Sequence, residues 1–130
     1  MNRITYLAIN HSEAGKLFKE WTKKEPDFDN YILLNSFFFG AYKDDRIVGV
    51  AQLIIIDDPF WNRRWGLIEN VFVKKEYRRQ GIGKGLMKQL ENQAISLGCS
   101  FVKLTSRKEE GIELYRSIGY EEGSSFRKEL

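Results

Sequence analysis

The chain has 130 residues, which is room for one domain with its own core and too little for two of ordinary size. Hydrophobic residues at 42% and charged residues at 30% exclude a disordered chain, and 21 Lys and Arg against 18 Asp and Glu leave a net charge of only +3, too small by itself to mark a nucleic-acid binder. Cys99 alone allows no internal disulfide, and neither a secretory apolar segment behind Met1 nor an apolar run of bilayer length is present, so a cytoplasmic protein without a membrane partner is expected.

In chain order, Ile4 to Ile9 alternates in part and reads as a strand. Ala14, Leu17, Phe18 and Trp21 then make one helical face, with Ser12 as the expected N-cap. Pro26 and Asp27 end that helix, and a second short one is expected to hold Phe28, Tyr31 and Ile32. Phe37 to Tyr42 and Ile47 to Ile56 are rich in aromatic and branched residues and flank Asp44 and Asp45, the pattern of an antiparallel hairpin. Asp57 to Arg64 reads as a loop and Trp65 to Val73 as a strand. Gly83, Leu86, Met87, Leu90, Ala94 and Leu97 recur at three- and four-residue steps, giving a helix from Ile82 to Leu97 that Gly98 stops. Phe101 to Thr105 is a strand, Gly111, Leu114, Tyr115 and Ile118 form the face of a fourth helix, and Tyr120 to Glu122 and Ser125 to Glu129 are final strands. This order makes an α/β (α+β) fold, a mixed sheet with helices on both faces.

The informative stretch is Val71 through Leu86, VFVKKEYRRQGIGKGL. A strand ends at Val73, and Gly81, Gly83 and Gly85 fall at a helix start, where unpaired N–H groups and the helix dipole favour an anion. Lys74, Lys75, Arg78, Arg79 and Lys84 suit a ligand with several phosphates. The same features also fit glycines used only for packing beside a solvated cationic face. No Gly-x-x-x-x-Gly-Lys-(Ser/Thr) loop occurs, and the spacing does not match a dinucleotide fingerprint.

Arg78, Gly81 and Gly83 closely resemble the signature Arg/Gln-x-x-Gly-x-Gly/Ala of the GNAT superfamily of N-acetyltransferases. IENVFVKKEYRRQG before the helix, GCSFVKLTS after it and the later LYRSIGY support the resemblance in register. It implies a mostly antiparallel central sheet of six to seven strands with about four helices, splayed at the fourth and fifth strands. It further implies acetyl-CoA as co-substrate, with the backbone of Arg78, Arg79, Gln80, Gly81, Ile82, Gly83 and Lys84 on the pyrophosphate and that of Val71, Phe72 and Val73 on the pantetheine arm and acetyl carbonyl. A free strand edge can pair with an amide-bearing arm as it would with another strand.

Acetyl transfer to a primary amine needs a base for an ammonium with a pKa of about 10, a donor for the oxyanion and a proton for the leaving thiolate. Glu69, a charge inside the apolar LIENVFV, stands where the resemblance places the base; a solvent-facing carboxylate or an ion pair is its other reading, and a bulge could bring Asn70 inward instead. Tyr115 matches the family tyrosine that protonates the thiolate, against its reading as a core aromatic. A backbone N–H near Val71 or Phe72 is expected to bind the oxyanion. Many members carry an Asn seven positions before that tyrosine; Lys108 stands there, with Ser106 and Arg107 nearby.

His11 and Cys99 have no partners at metal-ligand spacing, so no metal and no covalent cysteine intermediate are expected. Trp21, Phe28, Tyr31, Phe60, Trp61 and Trp65 with Asp57 and Asp58 are the candidate walls of an acceptor site, suited to a small cationic amine; a peptide or protein amine is the other acceptor class. The expected assembly is a monomer or homodimer with no nucleic-acid partner. Two rival functions are a non-catalytic acyl-CoA-binding module and a nucleic-acid-binding domain built on Lys74 to Lys88.

Overall fold

In a computed structural model the chain is described over residues 3–27, 30–31, 35–104, 109–122 and 126–130, with backbone only at 109, 110, 122 and 126. Seven strands form one sheet: β1 (Ile4–Ile9), β2 (Ser36–Lys43), β3 (Arg46–Asp58), β4 (Arg63–Val73), β5 (Phe101–Leu104), β6 (Glu121–Glu122) and β7 (Phe126–Glu129), in the order β1-β2-β3-β4-β5-β7-β6. Three α-helices accompany them, α1 (His11–Thr22), α2 (Ile82–Ser96) and α3 (Glu109–Ser117), with a 3-10 turn at Lys75–Tyr77. The second short helix expected at Phe28, Tyr31 and Ile32 falls mainly on residues outside those described.

Consecutive strands β2, β3 and β4 are antiparallel because tight turns join them. The expected Asp44–Asp45 turn is present: Lys43 pairs with Arg46 and Asp44 takes a φ of 55°. The β3–β4 connection is shorter than the loop read from Asp57 to Arg64. Asp57 pairs with Arg64 and Asp58 with Arg63 inside the ladder, which leaves only residues 59–62 as the turn. The reason is electrostatic: both cross-strand pairs are ion pairs, and the Asp58 carboxylate also accepts from the Phe60 and Trp61 N–H groups. Arg64 in addition donates to the Leu97 carbonyl at 2.8 Å, tying the hairpin to the end of α2.

One connection has no hairpin solution. Strands β4 and β5 are parallel, so the chain must cross over the sheet, and α2 is that crossover. It buries Ile82, Leu86, Met87, Leu90, Glu91 and Ala94 along one stripe. Ala51, Leu53, Ile55 and Ile68 from the sheet and Tyr115 from α3 complete that core. Each large apolar side chain buried there contributes roughly 1.5–3 kcal/mol. On the opposite face α1 buries Ala14 against Phe38 and Val50, with Phe18, Trp21 and Phe72 packed around them. Its N-cap is Asn10, whose side chain accepts from the Glu13 N–H at 2.8 Å, rather than Ser12, which already lies within the helix.

Glu91 breaks the apolar pattern of α2 yet is only 4% exposed. The Tyr120 hydroxyl donates to it at 2.9 Å and the Lys128 ammonium at 3.0 Å, so one carboxylate joins α2 to the C-terminal strands. Burial and then the Glu91 charge push the Tyr120 phenol well above its usual range, keeping it a donor.

Gly85 lies where α2 comes close to the sheet: a Cβ there would overlap the hydroxyl and ring of Tyr6 on β1. Gly85→Ala is therefore expected to lower stability in urea unfolding by about 1–3 kcal/mol, although alanine is the better helix former. Combining it with Tyr6→Ala should cost less than the two single losses together.

Candidate functional site

Strand β4 pairs with β3 along most of its length, but with β5 only from Gly66 to Ile68. From Glu69 to Val73 its other edge has no strand partner among the described residues. The opening coincides with a bulge. Val50 pairs with Phe72 and Gln52 with Glu69, so Asn70 and Val71 together face Ala51. Asn70 carries the irregularity in left-handed backbone, at a φ of 53°, a conformation asparagine tolerates better than most residues. Its side-chain amide donates to Gln52 Oε1 at 2.8 Å.

Beyond Val73 the chain makes the 3-10 turn, passes Arg79 at a φ of 62° and enters α2 through Gly81 at a φ of 81°. No side chain caps this helix start and no acidic residue occupies its first turn. The first-turn N–H groups are thus available to an anion. The three glycines differ in purpose. A Cβ on Gly81 would meet nothing within 4 Å, one on Gly83 would press on Leu114 at 3.2 Å, and Gly85 serves packing against Tyr6. A cavity of about 320 Å³ lies elsewhere, lined by residues that include His11, Phe38 and Gln93, whereas a larger one of about 530 Å³ adjoins Gly81. Lys84, Lys88, Ser117 and Lys128 line that larger cleft, and its cationic rim makes it the better match for a phosphorylated ligand. Arg78 itself folds back, donating to the Val73 carbonyl at 2.9 Å with its guanidinium over the Phe72 ring, while Gln80 accepts from Lys43 at 3.4 Å.

Glu69 and Tyr115, from distant parts of the sequence, come within electrostatic reach of each other. Tyr115 is 8% exposed and edge-on to Tyr120. Burial first, and the Glu69 charge second, raise its phenol above the ordinary value. The contact of Gly83 with Leu114 and Val73 shows why: the start of α2, the end of β4 and α3 converge there.

The aromatic residues do not gather as one wall. Trp21 stacks on Phe72 beside the bulge, with the Lys74 ammonium over its ring. Trp65 stacks instead on Phe101, and Phe60 and Trp61 are 90% and 77% exposed at the hairpin turn, about 20 Å along the strand from Glu69. Asp57 and Asp58 are engaged by Arg64 and Arg63, and the hydrogen bond from Arg64 holds the Asp57 carboxyl below its usual value. Phe28 and the Ser106 to Lys108 positions lie outside the described residues. Cys99 is buried, and burial pushes its thiol up, away from the nucleophilic form. His11 bonds the Ser36 carbonyl at 2.9 Å.

Sequence reasoning passed over Gln52, which is 3% exposed and bonded to both Asn70 and Ser36. The signal was present: one amide in the apolar run IVGVAQLIII. Among the described residues no helix is long and apolar enough to cross a membrane.

The sequence profile of the acetyltransferase (GNAT) family matches residues 6–120. Human N-acetyltransferase 8 is 32% identical over 94 residues, covering 70% of this chain and 41% of that protein, so the match spans about two fifths of the relative's length. A Trypanosoma brucei acetyltransferase superposes with a TM-score of 0.76 at 25% identity, covering 93% of this chain and 94% of the other. A Clostridium acetobutylicum acetyltransferase solved with acetyl-CoA gives 0.73 at 20% identity, covering 93% and 92%.

The bulge geometry has a direct stability consequence. Asn70→Val forces a β-branched residue into left-handed backbone and is expected to cost roughly 1–2 kcal/mol in chemical denaturation, even though valine favours strands elsewhere. A stability equal to that of the parent protein would contradict the assigned backbone.

Proposed function

The chain belongs to the acetyltransferase (GNAT) family, and on that premise we propose that it acts as one domain transferring an acetyl group from acetyl-CoA to a primary amine by direct attack in a ternary complex. The observation that carries this reading is the meeting, at one end of β4, of a strand edge with no partner among the described residues and a helix start open at Gly81. An amide-bearing arm ending in a pyrophosphate fits that pair of features. The structural neighbour solved with acetyl-CoA supports it.

In this reading the backbone of Arg78 to Lys84 holds the pyrophosphate, and the cleft beside Gly81, rimmed by Lys84 and Lys88, takes the nucleotide end. Val71 to Val73 pair with the pantetheine arm, and an N–H of Val71 or Phe72 binds the carbonyl oxygen as it becomes an oxyanion. Glu69 accepts the amine proton, directly or through water. The amine nitrogen then bonds to the thioester carbon, the carbon–sulfur bond breaks, and Tyr115 supplies the proton that neutralises the leaving thiolate. The raised Tyr115 pKa suits an acid that stays protonated until the thiolate forms. Asp57 and Asp58 are spent on arginines, so acceptor choice falls to the surroundings of Glu69 and the Trp21–Phe72 stack.

Gly81→Val places a branched residue at a φ of 81° and its side chain in the open space where the pyrophosphate is assigned. Acetyl-CoA affinity measured by calorimetry should fall about tenfold or more while the fold is kept. Undiminished binding would remove the pyrophosphate from this turn.

Tyr115→Phe should lower kcat by roughly a hundredfold or more with acetyl-CoA affinity nearly unchanged. Because the phenol is raised, the alkaline fall in kcat due to Tyr115 should begin above the ordinary tyrosine value of about 10, and should vanish in the variant. Glu69→Gln should cost most at neutral pH, its deficit shrinking as pH nears the amine's own pKa of about 10. An amine screen followed by thiol release gives both profiles, and a constant Glu69→Gln deficit across pH would move the base elsewhere.

A further inference from the structure

Gln52 is an expensive residue where it stands. Its neighbours Ala51 and Leu53 are fully buried, it is 3% exposed, and a buried amide is costly unless its donors and acceptor are satisfied. Its Nε2 donates to Ser36 Oγ and its Oε1 accepts from Asn70, both at 2.8 Å. The Ser36 carbonyl in turn bonds His11 at 2.9 Å. A polar chain therefore crosses from the start of α1, through β2 and β3, to the bulge on β4. Gln52 is also the register partner of Glu69, the residue just before the irregularity.

The alternative to the bulge is a regular ladder, in which every β4 residue after Glu69 shifts by one and turns to the opposite face. Phe72 would then leave the Trp21 stack, and the Val71 to Val73 edge would present different groups to the opening beyond β5. Asn70 in left-handed backbone disfavours the bulged form, so something must hold it. The bond to Gln52 is that hold, because it can form only while the Asn70 side chain points toward β3.

We propose that Gln52 is a positioning residue: through Asn70 it holds the β4 bulge that aims the Val71 and Phe72 amides at the reacting carbonyl. The inference rests on the acetyl-transfer reading of this site.

The test uses Gln52→Leu, Asn70→Ala and the double variant, assayed with acetyl-CoA and the most active primary amine of a thiol-release screen. Coenzyme A affinity is read by calorimetry, and the amide resonances of residues 69–72 by NMR of labelled protein. Alanine keeps the strain of the left-handed backbone and loses the bond to Gln52, so Asn70→Ala, at an exposed position, keeps the test alive if Gln52→Leu does not fold. Each single variant should lower kcat roughly tenfold or more. Coenzyme A affinity, carried mainly by the Gly81 turn, should fall much less than kcat, and the double variant should be no slower than the slower single one. The amides of residues 69–72 should shift in both single variants. A kcat for Asn70→Ala within about twofold of the parent, losses that multiply in the double variant, or coenzyme A affinity falling in step with kcat would each overturn the proposal. If the parent protein neither binds acetyl-CoA nor releases thiol, the acetyl-transfer reading itself fails; the outcomes above fail Gln52 alone.

Discussion

Strand β4 answers to two neighbours that it cannot satisfy along its whole length. With β3 it is antiparallel and pairs nearly end to end; with β5 it is parallel and, among the described residues, pairs for three. The crossover through α2 creates the parallel pair, and it brings the start of α2 back against the same end of β4 where the pairing with β5 has ceased. That mismatch leaves, among the described residues, a backbone edge of β4 without a strand partner beside the start of α2.

The surrounding structure protects this weak point from both sides. On one face Trp21 of α1 covers Phe72, and on the other Leu114 of α3 covers Gly83. Without such packing an open strand edge invites pairing with another chain. The bulge and its left-handed Asn70 further turn the edge away from a regular ladder.

Much of this was legible in the residues. Helix α2 announced itself through Leu86, Met87, Leu90 and Ala94, and Gly81 and Gly83 marked its start because spacing and backbone freedom are local properties. The α1 cap was missed because Asn10 and Ser12 are both good caps and only the backbone geometry chooses between them. The β3–β4 turn looked like a longer loop because Asp57, Asp58, Arg63 and Arg64 are poor strand formers singly and good ones only as cross-strand pairs. Gly85 carried the same letter as its neighbours, and its different purpose depends on Tyr6, some eighty residues away. Glu91 was illegible for the same reason, its partners lying far along the chain, whereas Gln52 stood out in its apolar run and only its partners were hidden.

The C-terminal strands carry a consequence for how the molecule is made. Strand β7 does not lie at the rim; it is inserted between β5 and β6 and pairs with β5 from Phe101 to Leu104. During synthesis β5 leaves the ribosome well before β7, so one edge of the finished parallel pair waits, uncovered, for residues translated more than twenty positions later. Glu91 waits with it, since Tyr120 and Lys128 arrive only with those same strands. Assembly of the half of the sheet that holds the splay is therefore a late event, completed from the far end of the chain.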